Sequence, residues 1–213
     1  LALEPDWPLL HSNLANLLME RGEMAALVAA CDAWLETSPG EIEALSLKAL
    51  ALNEMGAAEA AGELLDYDRL VMTVRHEAPE GYSDLAEFNR ALADHIAALP
   101  TLKVPPAAPP TYHNPRLKIT EEILGGPPGP VAAFEGMVRG AIESYRKHVS
   151  GGSTHPFIDN WPQHWQLSSW GTMLEGEGNL VPHIHLEGYV GGVYYPELPE
   201  AFGEPGQGEA GWF

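Results

Sequence analysis

Two histidines and a glutamate occupy alternate positions in His183-Ile184-His185-Leu186-Glu187. On an extended strand alternate side chains point to one face, so His183, His185 and Glu187 can converge on a single point. Imidazole nitrogens beside a carboxylate suit Fe(II), Zn or Mn. The same H-x-H spacing also arises from two solvent-facing histidines on an exposed strand, and spacing alone does not separate these readings. Of the other histidines, His155 in Thr154-His155-Pro156-Phe157 and His164 in Gln163-His164-Trp165 are expected to stabilise loops. His95 falls beside the apolar stripe of a helix. The sequence holds no Gly-rich phosphate loop, no Ser-His-Asp pattern and no cysteine-based metal spacing.

The elements that must position the histidines are strands. Trp165–Leu174, Val181–His185 and Tyr189–Tyr195 are rich in aromatic and β-branched residues and read as strands, with a Gly-containing turn over Glu175–Asn179. Several short strands predict a sandwich or barrel, here too few to close one. Before them, Val131–Val149 predicts a helix with Phe134, Val138, Ile142 and Tyr145 on one face. Val104-Pro-Pro-Ala-Ala-Pro-Pro110 is a stiff, extended connector.

The first hundred residues are different in kind. One constant shift superposes Pro5 on Pro39, Ala15 on Ala49, Leu18 on Leu52, Gly22 on Gly56 and Ala26 on Ala60. That shift is the length of a tetratricopeptide repeat, a helical hairpin of about 34 residues. The alanines are small where two helices must cross closely, and the glycines end the first helix of each pair. Helices are predicted over Leu10–Arg21, Ala25–Glu36, Glu41–Met55 and Ala57–Leu70. A further amphipathic helix, Leu85–Leu99, carries Leu85, Phe88, Leu92 and Ile96 at spacings of three and four, with Ser83-Asp84 as cap candidates. Stacks of such hairpins form concave surfaces that bind peptides, so a protein or peptide partner is expected.

Composition narrows the function classes. The 213 residues carry 11 Lys+Arg against 30 Asp+Glu, a net charge of -19. A surface this acidic repels phosphates and anionic lipid, which argues against nucleic-acid and membrane roles. No run reaches the roughly 18 apolar residues of a membrane span. The single cysteine, Cys31, falls at a core position of its helix and is expected to be inert. One cysteine fits a cytoplasmic location. The chain opens on Leu1-Ala-Leu-Glu-Pro5, which reads as the tail of an earlier repeat, and closes on Gly211-Trp212-Phe213. Both ends are expected to lie inside a longer polypeptide.

The stretch Asn179-Leu-Val-Pro-His183-Ile-His185-Leu-Glu-Gly-Tyr-Val-Gly-Gly192-Val193-Tyr194-Tyr195 resembles the bacterial and phage family of 2-oxoglutarate/Fe(II) oxygenases, whose core reads H-x-H-P-x-x-x-x-S-G-V-Y-Y. The His pair, its spacing and Gly192-Val193-Tyr194-Tyr195 match. Ser168-Ser169-Trp170-Gly171 is similar to the preceding strand of that family. Leu64-Leu-Asp-Tyr-Asp-Arg-Leu70 and Phe88-Asn89 are similar to the stretch joining repeats to oxygenase in fused members. Leu186 and Gly191 depart from the family's Pro and Ser, and neither removes a ligand.

The resemblance implies an α+β multidomain chain with three parts. Helical repeat hairpins span 1–72, a helical connector and Pro-rich linker 73–110, and part of a double-stranded β-helix, or jelly-roll, 111–213. It implies a facial triad for Fe(II), with 2-oxoglutarate and O2 as cosubstrates. Aligned on the prolyl-hydroxylase pattern H-x-D…Y-Y, His183 takes the first His and His185 the Asp. Glu187 is the reserve ligand if the register slides by two. Tyr195, and less directly Tyr194, falls near the 2-oxoglutarate carboxylate. The implied reaction couples oxidative decarboxylation of 2-oxoglutarate to hydroxylation of an unactivated C–H bond, in a protein or peptide substrate. After His185 there is no His, Lys or Arg. The family's distal His and its basic carboxylate partner therefore have no counterpart, and these residues alone are expected to hold iron weakly and not to turn over. Two alternatives stand beside this reading. One is a cupin, whose Glu follows the second His after three or four intervening residues, where this chain has Tyr189 and Val190. The other is a non-catalytic repeat module with a degenerate barrel.

Overall fold

The computed structural model describes residues 8–105, 116–152, 154–176, 185 and 188–198. It forms two compact units, each drawn from separate stretches of chain. The first comprises Leu1–Thr73, Ser144–Trp165 and His185–Gly191; the second Val74–Glu143, Gln166–Ile184 and Gly192–Phe213.

The first unit is built on helical hairpins. Helix α1 (Pro8–Glu20) pairs with α2 (Met24–Thr37), and α3 (Ile42–Glu54) with α4 (Ala58–Leu65). Helix α3 begins and ends one repeat length after α1. The turns repeat as well. Gly22 at φ +69 and Gly56 at φ +76 each end a helix in the left-handed region. The Glu23 N–H donates to the Leu18 carbonyl and the Gly22 N–H to Met19. One repeat on, Ala57 donates to Leu52 and Gly56 to Asn53, all at 2.9–3.0 Å. Both are Schellman caps, which satisfy carbonyls that the helix end leaves open. Ala15, Leu27, Cys31, Leu47 and Ala51 form the core of this unit. Ala15 and Ala49 are both buried, as their small size at a helix crossing requires. Burial pushes the Cys31 thiol up to about 11, with the Asp32 charge acting in the same direction. It is an inert core residue.

The helix predicted over Ala57–Leu70 is broken. Asp66 takes φ +28, and a separate short helix α5 (Tyr67–Leu70) follows. The later residues of the unit close over this end of the hairpins. The Arg69 guanidinium donates through Nε and Nη2 to the Val149 carbonyl at 3.2 and 2.9 Å, and the Tyr145 hydroxyl donates to Leu70 O at 2.8 Å.

The second unit packs α6 (Leu85–Ala97) against the first part of α7 (Pro130–Val149). Phe88, Leu92 and Val131 are buried at the centre, with Tyr82, Phe134 and Met137 around them. Asp84 caps α6 by accepting from the Glu87 N–H at 2.8 Å, and Glu87 reaches back to the Ser83 N–H and hydroxyl. Those Ser83 hydrogen bonds hold the Glu87 carboxyl below its ordinary range. Strands β1 (Leu117–Ile119) and β2 (Thr172–Leu174) pair antiparallel, Lys118 opposite Met173. Beside them Gly171 permits a close approach: a Cβ there would lie 2.5 Å from Ile96 Cγ2.

The architecture is mostly helical with a small antiparallel sheet, so the α+β expectation holds at that level. Among the described residues no double-stranded β-helix is formed. Of the strand predicted over Trp165–Leu174 only the last three residues pair. Tyr189–Tyr195, predicted as a strand, has no ladder partner among the described residues and runs as a bend followed by irregular chain. Tyr189 and Tyr194 pack on other aromatics, and β-propensity records such packing as much as backbone preference. Among the described residues no helix is long and apolar enough to cross a membrane.

Candidate metal and cosubstrate site

Of the predicted metal ligands, His183 and Glu187 lie outside the described residues, as does the strand Val181–His185 apart from His185 itself. His185 belongs to the first unit and is exposed. Its carbonyl accepts the Gly188 N–H at 3.0 Å, closing a tight turn directly after it. That turn delivers Tyr189 into an aromatic cluster. The Tyr189 ring stacks on Phe157 with centroids 4.6 Å apart and meets Trp161 edge-on at 5.4 Å. Tyr145 also packs against Trp161, centroids 6.1 Å apart, and the Arg146 guanidinium lies over the indole at 5.8 Å. The Tyr189 hydroxyl also donates to the Phe157 carbonyl. Burial, reinforced by the nearby Tyr145 and Asp159, pushes the Tyr189 phenol up to about 12.

The loop bearing Phe157 and Trp161 is fixed by His155. This histidine is buried and precedes the short helix α8 (Pro156–Asp159). Its Nδ1 accepts the Phe157 N–H at 3.2 Å, so the ring proton sits on Nε2 and donates to the Leu64 carbonyl, also at 3.2 Å. A loop-stabilising role is what the sequence predicts for His155. His164 is exposed.

In the second unit, Tyr194 is half-buried against Phe88 and Phe134, with His76 edge-on at 5.9 Å. Its hydroxyl donates to Asn89 Oδ1 at 2.5 Å. Burial raises its phenol, and the Asn89 hydrogen bond opposes that shift. Tyr195 is 42 % exposed. The two neighbouring tyrosines thus have different surroundings, one in a core and one toward solvent.

Among the described residues no group of three or more His, Cys, Asp or Glu side chains is arranged to hold a metal. The donor set proposed from sequence, two imidazoles and a carboxylate, is nonetheless of the kind Fe(II) accepts, and its one described member is exposed. Sequence reasoning did not assign roles to Asn89, Phe157 or Trp161. Only Phe88-Asn89 carried a signal, as part of a stretch similar to fused oxygenases.

In comparisons with family models, curated proteins and solved structures, nothing matches this chain.

Proposed function

We propose that this chain carries the histidine-bearing part of a 2-oxoglutarate- and Fe(II)-dependent dioxygenase, acting on a protein or peptide offered by the helical hairpins. The observation that carries the reading is the spacing of His183-Ile184-His185 ahead of Gly192-Val193-Tyr194-Tyr195. The full domain in this reading is a double-stranded β-helix. His183 and His185 hold the metal, with Glu187 as the reserve ligand, and Tyr195 meets the 2-oxoglutarate carboxylate. When bound, iron and its cosubstrate supply O2-dependent hydroxylation of an unactivated C–H bond, 2-oxoglutarate leaving as succinate and carbon dioxide.

The chain's own residues have positioning work in this scheme. The Gly188 turn and the Tyr189 stack on Phe157 restrain the backbone that follows His185. The Asn89 bond and the Phe88 and Phe134 rings hold Tyr194, and Tyr195 beside it is the more exposed of the two. Outer residues that orient ligands in this way commonly govern metal affinity.

The test is succinate formation. The polypeptide expressed from its natural gene, supplied with Fe(II), O2, 2-oxoglutarate and candidate peptides, should release succinate well above a His183→Ala control. No excess over that control would end the reading. A second reading, a non-catalytic hairpin module, is favoured by the mostly helical make-up of the described residues. It expects peptide affinity to be unchanged by His183→Ala.

A further inference from the structure

We infer that Trp161 and Arg146 form a binding site for the carboxylate of a small organic anion. The inference does not rest on the oxygenase reading.

Two neighbouring donors lack acceptors. Trp161 Nε1 is buried and meets no hydrogen-bond partner, the one side-chain nitrogen or oxygen among the described residues of which this holds. A buried N–H left in that state is uncommon and destabilising. The phenols packed on this indole are satisfied: Tyr145 donates to the Leu70 carbonyl and Tyr189 to the Phe157 carbonyl. The Arg146 guanidinium lies over the indole, 5.8 Å from its centroid, on an exposed side chain. Among the described residues no carboxylate pairs with it. The carboxylate of Asp159, in the same cluster, instead accepts the His155 N–H at 3.1 Å.

Arg146 is also spare within its own helix. It stands in the last turn of α7, where cations offset the helix dipole, and Lys147 and His148 stand there with it. Carbonyls of that turn already have donors. Arg69 bonds to Val149 O, and Ser150 bonds to Arg146 O through its N–H and its hydroxyl.

An occupant must accept from both donors. A carboxylate does so with its two oxygens, each at a hydrogen-bond length of about 2.9 Å, and its plane matches the guanidinium fork. Its single charge suits the surroundings. Phosphate would bring more negative charge into a chain of net charge -19, close to Asp159.

Proton NMR of the metal-free chain tests this. The Trp161 indole N–H signal, identified by its loss in Trp161→Phe, should move on addition of acetate or 2-oxoglutarate at constant ionic strength. The tighter binder of the two shows whether one carboxylate or two are read. In Arg146→Gln, which alters an exposed side chain, binding should weaken about tenfold or more. A signal that neither acid moves overturns the proposal. So does undiminished binding in Arg146→Gln, or an equal response to inorganic phosphate. With no iron in the sample, none of these outcomes bears on metal binding.

Discussion

The Tyr194 hydroxyl donates to Asn89 Oδ1 across 105 residues of chain, at 2.5 Å. The bond ties the Gly192–Tyr195 segment to α6 beside Phe88, the buried centre of the second unit. It gives a physical task to two short stretches that otherwise share only a family resemblance. It also separates Tyr194 from Tyr195, which sequence alone leaves nearly equivalent.

A double-mutant cycle measures that tie. Tyr194→Phe and Asn89→Ala should each destabilise the chain by about 1 kcal/mol in urea unfolding, and the double variant by less than their sum. Strict additivity would mean that the bond contributes nothing.

The turn glycines give a second expectation. A Cβ at Gly22 or Gly56 meets no atom within 4 Å, so alanine there is opposed only by the left-handed backbone. Each substitution should cost about 1 kcal/mol, and the two values should agree because the cap geometry repeats. Gly62, inside α4 and equally unobstructed, should do the reverse: Gly62→Ala stabilises by roughly 0.5–1 kcal/mol. Thermal unfolding of the three variants checks this.

The aromatic cluster predicts an alkaline weakness. The Tyr189 phenol ionises at about 12 when folded against an ordinary value of 10, because burial disfavours the phenolate. The contribution is complete below pH 10 and is lost as pH rises from 10 toward 12, where the unfolded chain releases its proton and the folded one retains it. Tyr189→Phe should flatten that part of the stability profile. It should also remove the highest tyrosine step in an ultraviolet titration.

His155 should behave as a structural residue. His155→Ala removes the acceptor for Phe157 N–H and leaves Leu64 O without its donor, and is expected to destabilise by about 2 kcal/mol. Metal affinity of the folded fraction, followed by calorimetry, should stay within a factor of about three of wild type. A loss as large as that from His183→Ala would make His155 a ligand instead.

The hairpins were legible because their signals are local. Glycine at a helix end and alanine at a helix crossing each answer one local requirement, and both recur one repeat length later. The Asp84 cap of α6 was legible for the same reason. The break at Asp66 was not, since an apolar period through Ala57–Leu70 carries no sign of a backbone reversal at one residue. Tyr189–Tyr195 misled because aromatic residues serve a strand and an aromatic cluster equally well; which one forms depends on Phe157, Trp161 and Phe88, distant in sequence. Strand β1 was missed because three residues show no usable alternation. For the candidate site, the types and spacing of His183, His185 and Glu187 carry chemical information, whereas the anchors at Phe157 and Asn89 are tertiary facts.

Anaerobic Fe(II) titration by calorimetry tests the central claim most directly, comparing the wild-type chain with His183→Ala and His185→Ala. The account predicts one Fe(II) per chain, with affinity reduced about tenfold or more in each variant. Equal affinity in all three proteins would contradict it.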